Sequence, residues 1–163
     1  MLADTAAFER KYSEISQFCL ANIEQAQNAR SGNAKAGSLY KAYSVCGTPQ
    51  YMSPEVIAQQ GHDMQSDWWA LGIVMYELAT GNPPFVSKDL EAMADNIRFA
   101  DLPTQSHFSD EFENLVMRLT SKLPAKRLGK NGSTEIKNHP FFRNVKWDKV
   151  LKKQLKPPII PQN

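Results

Sequence analysis

The segment DWWALGIVMYELAT, Asp67 to Thr80, is apolar around nearly the whole circumference of a helix and carries one inner charge, Glu77. A helix with no polar face is buried on all sides, so this one predicts the central spine of the core. Asp67 reads as its cap. Gly81 and then Pro83-Pro84 stop it. Its apolar run, Trp68 to Ala79, is too short to cross a bilayer and is interrupted by Glu77.

Other elements follow from punctuation and period. Residues 4 to 29 read as an amphipathic helix with Phe8, Tyr12, Ile15, Cys19, Ile23 and Ala26 on one side. Residues 30 to 43 are small and polar, a loop. Ser53-Pro54-Glu55 reads as a helix start with a capping hydroxyl, and Gly61 as its end. Ser87 precedes a helical stripe of Leu90, Met93, Ala94 and Ile97, and Ser109 precedes Phe112, Leu115, Val116 and Leu119. Ser133 or Thr134 begins a short helix that Pro140 closes. No stretch alternates long enough to be a strand, so the expected fold is mainly α, with helices packed around the Asp67 to Thr80 spine.

With 163 residues, 42% of them hydrophobic, the chain has enough for one globular core. A formal charge of +2 is too small to argue for nucleic acid or an anionic membrane, and neither partner is expected. Lys149, Lys152, Lys153 and Lys156 concentrate charge near the C-terminal end, which reads as a solvated helical face. Cys19 and Cys46 form neither a CxxC pair nor a disulfide framework. With no apolar leader at the N-terminus, a cytoplasmic location is expected.

From Ser44 the sequence reads SVCGTPQYMSPEVI, then GHDMQSDWWALGIVMYELATGNPPF. Later come IRFADLP, HFSDEF, LPAKRLG, IKNHPFF and PPIIP, in order. These motifs closely resemble the lower lobe of serine/threonine protein kinases of the AGC group, with a form similar to the cyclic-nucleotide-dependent kinases. The resemblance covers residues 44 to 163. It implies the family reaction, ATP- and Mg²⁺-dependent phosphorylation of Ser or Thr in basic proteins.

The resemblance assigns roles residue by residue. Ser44 matches the activation-loop phosphosite, addressed by an upstream activating kinase. Val45, Pro49 and Met52 match the apolar pocket for the side chain after the phosphoacceptor. Thr48 matches the threonine that bonds the catalytic aspartate. Glu55 and Arg127 match a structural ion pair, and Asp67 a structural aspartate. Glu77 matches the glutamate that holds an arginine two residues before the phosphoacceptor, so peptides with basic residues are the expected partners. Gln50 stands where a glutamate is often found.

The other half of the machinery is absent from this sequence. It has no Gly-rich loop, strand lysine, H-R-D catalytic loop or D-F-G aspartate. Where relatives carry the catalytic loop it reads ERKYSEISQF, and against DFGxAK it reads Arg30-Ser31-Gly32-Asn33-Ala34-Lys35. No catalytic, ATP-binding or metal residue is assigned, and the chain itself is expected to bind no cofactor. The upper β lobe is absent. In relatives the catalytic-loop region covers the spine, so part of an apolar face is expected to lie open. The expected divisions are an unassigned helix at 1–29, an activation-segment-like loop at 30–53, a kinase lower lobe at 54–142 and the start of an AGC tail at 143–163. Two readings follow: a partial sequence of an active kinase, or a non-catalytic pseudokinase-like module that binds basic peptides or a kinase partner.

Overall fold

The structure is a computed structural model, and it describes residues 41–45 and 47–156. The expected N-terminal helix, most of the polar loop after it, the Arg30 to Lys35 stretch, Cys46 and the PPIIP end lie outside the described residues.

Among the described residues six α-helices lie in chain order: α1 (Pro54–Ile57), α2 (Gln65–Thr80), α3 (Leu90–Phe99), α4 (Asp110–Leu119), α5 (Ser133–Lys137) and α6 (Trp147–Leu151). Short 3-10 turns at Pro49–Tyr51, Pro124–Lys126 and Pro140–Phe142 each begin on proline, whose fixed φ suits a tight helical start. The described residues contain no strand, only an isolated antiparallel bridge between Ala42 and His62. The mainly α expectation holds. No helix among the described residues is long and apolar enough to cross a membrane.

Helix α2 is the centre. Gln65, Trp69, Gly72, Ile73 and Tyr76 are buried along it at helical spacing. Trp69 and Ile73 join Phe85, Met93 and Ile97 in one core cluster. On the other side Trp68, Leu71 and Met75 pack on Leu115, Leu119, Leu128 and Ile136. Gly72 is the close-approach point, because a Cβ there would lie 2.8 Å from Thr120 Cγ2 and 2.9 Å from Leu119 Cβ.

The wrapping is not complete. Asp67, Val74, Leu78 and Ala79 are exposed, Leu78 to 83%. The first three lie on one stripe of α2, so apolarity around the circumference overstated burial. Val74 and Leu78 leave an apolar part of this stripe exposed.

Three helix ends differ from the sequence reading. Helix α2 begins at Gln65, and Asp63 accepts from the Gln65 N–H at 2.8 Å, so Asp67 sits inside the first turn and caps nothing. The Ser53 hydroxyl makes no cap bond; it donates to Ser66 Oγ at 2.9 Å. Helix α1 ends at Ile57, with Ala58 as its C-cap and Gln59 in the left-handed region at φ 53°. There the Gln60 N–H reaches Glu55 O and the Gln59 N–H reaches Val56 O, the pairing that closes a helix end on a left-handed residue. Gly61 comes two residues too late to serve. Replacing Gln59 with glycine relieves a conformation costly for a residue with a Cβ, partly offset by unfolded-state entropy. A gain of about 0.5–1 kcal/mol is expected, seen as a higher denaturant midpoint at unchanged slope.

The ends of α3 and α4 are capped by side chains. Asp89 accepts from the Ala92 N–H, and Ser109 from the Phe112 N–H. Lys122 ties α3 to the core. Its Nζ donates to Ile97 O at 2.7 Å and lies 4.0 Å from the Phe85 ring centroid and 5.1 Å from that of Trp69. Burial lowers its pKa to about 8, against a smaller opposing pull from Asp101.

His139 is buried, its Nδ1 accepting from the Phe141 N–H and its Nε2 bonded to Asn114 Oδ1 at 3.0 Å. That arrangement uses the neutral ring. Burial, and then the charge of Arg118, hold its pKa below the ordinary 6.5. A histidine that folding keeps neutral binds fewer protons folded than unfolded, so stability falls as pH drops through 6.5 and below. His139→Asn keeps an acceptor near the Nδ1 position without titrating. Its unfolding midpoint is expected to fall less than wild type between neutral and mildly acidic pH.

Candidate peptide-binding face

Residues 41–45 and 47–53 form one wall of this face. Ala42 and His62 exchange both backbone hydrogen bonds at 2.8 Å, which fixes the chain just before Ser44 against the approach to α2. Val45 then turns inward to pack with Met52 and Val56, and Ile57 closes the cluster. Pro49 starts the 3-10 turn beside it and is half-buried. Val45 and Met52 are therefore brought together, with Pro49 close by in the chain.

An open cleft of about 220 Å³ runs between this wall and the start of α2. Ser44, Thr48, Asp63, Ser66 and Asp67 reach it, with His62 as its one lining group able to carry positive charge. A phosphate on Ser44 would add nearly two negative charges opposite Asp63 and Asp67. No lysine or arginine among the described residues lines the cleft to answer it.

Glu77 lies at the far end of α2, half-buried. The Tyr51 hydroxyl donates to its Oε2 at 2.6 Å. That bond to the carboxylate, with a smaller effect of burial and of the Glu77 charge, raises the Tyr51 pKa above 10.0. Glu77 forms no ion pair among the described residues. A neutral phenol thus orients a carboxylate that retains capacity for a cation. On the same turn, the Gln50 Oε1 is buried with no hydrogen-bond partner among the described residues.

Glu55 and Arg127 meet beneath the wall. The Arg127 guanidinium donates from Nη1 to Glu55 Oε1 at 2.7 Å and from Nη2 to Oε2 at 2.9 Å, the two-pronged geometry of a strong pair. Two further donors, from Nη1 and Nε, reach Gln65 O and Ser121 O. Ser53 donates to Ser66, which donates to Glu55 Oε1 at 2.9 Å. Burial pushes the Glu55 carboxyl up, but the bonds and charge of Arg127 outweigh it and hold the pKa below 4.5.

Sequence reasoning passed over Tyr51, Ser66 and Gln65. No spacing rule flags Tyr51, because its partner is 26 residues away. Ser66 and Gln65 serve the ion pair through a hydroxyl and a main-chain carbonyl, and the carbonyl leaves no mark on residue type.

Protein kinases use ATP and Mg²⁺. The described residues bring together no three of His, Cys, Asp or Glu that could hold a metal ion. The carboxylates Asp63 and Asp67 both line the cleft.

Residues 11–142 match the protein kinase domain family. That match begins well before the motifs around Ser44. Among curated relatives, the chain is 44% identical over 121 residues to Ribosomal protein S6 kinase alpha-6 of Homo sapiens, covering 74% of this chain and 16% of that protein. It is 42% identical over 123 residues to Ribosomal protein S6 kinase alpha-1 of Homo sapiens, covering 74% of this chain and 17% of that protein. With Serine/threonine-protein kinase YPK2/YKR2 of Saccharomyces cerevisiae the identity is 40% over 121 residues, covering 74% of this chain and 18% of that protein. The matched part thus spans under a fifth of those relatives. Helices without strands around a central α2 are the architecture of a kinase lower lobe. The chain belongs to the protein kinase family, among the serine/threonine kinases of the AGC group.

Proposed function

We propose that this chain is the substrate-side part of a serine/threonine kinase, which receives basic peptides and does not itself transfer phosphate. The observation that carries this reading is the Tyr51–Glu77 pair. Its 2.6 Å bond orients a half-buried carboxylate that no cation of the described residues neutralises. A guanidinium two residues before the phosphoacceptor supplies the missing charge. The apolar residue after the phosphoacceptor lies against Val45, Pro49 and Met52. Thr48 completes the site when a catalytic aspartate is supplied by other residues or another chain. Ser44 is the phosphosite for an activating kinase.

Phosphoryl transfer needs a phosphate cradle, a metal-binding aspartate and a base near the nucleophile, and the sequence carries none of their motifs. Pure protein with ATP, Mg²⁺ and an arginine-rich serine peptide is expected to give no phosphopeptide, and measurable transfer would sink the inactive reading. Binding is tested apart from turnover by titrating the same peptide into wild type and Glu77→Ala. A loss of about tenfold is expected for one charge-assisted hydrogen bond. Equal affinity would remove Glu77 from the site.

A further inference from the structure

The run from Lys146 to Lys156 reads in sequence as a solvated helical face. The structure gives it a shape. Lys146, Lys149 and Lys152 line one open cavity of about 560 Å³ together with Trp147 and Asp148. Lys153 and Lys156 follow, both exposed, and Asp148 is the one acid in the segment. The chain is nearly neutral as a whole, yet five ammonium groups gather within eleven residues, 146 to 156.

The segment is fixed to the lobe from within. Trp147 Nε1 donates to Lys137 O at 3.2 Å, and its ring stands 5.4 Å from that of Phe142. With the tryptophan holding the inner side, Val150, Leu151 and Leu155 remain exposed to 43%, 75% and 45%. After α6, Lys153 takes a left-handed φ of 54°, where glycine is the ordinary occupant, so a charge is kept at a strained position.

We propose that this face docks on an anionic phospholipid surface, with lysines at the headgroups and Leu151 and Leu155 entering the acyl boundary. Lysines alone would suit any polyanion. The exposed leucines beside them choose among these, because an acidic peptide or a nucleic acid offers them no apolar medium, whereas the membrane interface takes both groups at once. Lysine attraction to such a surface is additive and falls away within a Debye length, so the contact is salt-sensitive.

The full chain is sedimented with vesicles of phosphatidylcholine containing phosphatidylserine, and with phosphatidylcholine alone. Binding to the anionic vesicles only is expected, and it is lost at high salt. Lys149→Glu with Lys152→Glu lowers partition by about tenfold or more, while Lys130→Glu, on another exposed loop, leaves it near wild type. Leu151→Asp also lowers it several-fold. All four positions are exposed, so thermal melting should stay close to wild type and loss of binding is then not loss of fold. Equal sedimentation with both vesicles, or none with either, overturns the proposal. So does Leu151→Asp binding as wild type while soluble polyglutamate competes, the outcome of an acidic protein site.

Discussion

Arg127→Ala is expected to lower the unfolding free energy by about 3–5 kcal/mol, because it leaves the Glu55 carboxylate buried with no countercharge. A loss of that size approaches the whole stability of a domain this small, so the variant should be largely unfolded near 37 °C. Truncating Arg127 also orphans two main-chain carbonyls, Gln65 O and Ser121 O. Arg127→Lys should recover only part of the loss, since one ammonium cannot span both carboxylate oxygens.

The pH dependence separates lost charge from lost volume. In wild type the folded pKa of Glu55 lies below its ordinary 4.5, so the pair's contribution is present above that value and fades as pH falls through the folded value. In Arg127→Ala the same carboxyl is buried without a cation, and its folded pKa rises. Folding then favours the protonated form, so stability declines as pH rises through the unfolded value. The variant should melt higher in mild acid than at neutrality, opposite to wild type. A merely vacant space at Arg127 would give no such reversal.

The second large effect is expected at Gly72. An added Cβ would meet Thr120 Cγ2 at 2.8 Å and Leu119 Cβ at 2.9 Å, so α2 and α4 must move apart. Gly72→Ala should cost about 1–3 kcal/mol from overpacking, despite the better helix propensity of alanine. Gly72→Val should cost more, since a branched chain has no room to rotate away. Thr120→Ser removes one of the two opposing atoms and keeps a hydroxyl for the bond now made to Val116 O. In the double-mutant cycle with Gly72→Ala it should return part of the loss, and strict additivity would mean the contact is not the cause.

How much was legible in the sequence depended on how local the cause was. Ser109 capping α4 is written in four consecutive residues, Ser109 to Phe112, and Gly81 ending α2 in one. Asp67 was misplaced as a cap because Asp63, four residues earlier, holds the first free N–H of the helix instead. Ser53 sits at a helix start, yet its hydroxyl serves Ser66 and through it Glu55. Burial of α2 was over-read, since apolar composition does not say whether a neighbour covers Leu78. Glu55 and Arg127 were named through the family motifs, but their shared carbonyls and the Ser66 link depend on tertiary placement. The Tyr51–Glu77 bond was not legible at all.

The adjacent tryptophans of α2 have a consequence for how the lobe comes apart. Trp69 belongs to the cluster with α3, and Trp68 packs on the cluster with α4. Neither cluster can open without stripping one face of the same helix, so the two have no independent melting step. The lobe should behave as one cooperative unit, with slow amide exchange in α2, α3 and α4 governed by a common opening free energy. Glu77, the carboxylate proposed to hold a peptide, sits on this same helix, so its backbone shares the stability of the whole unit.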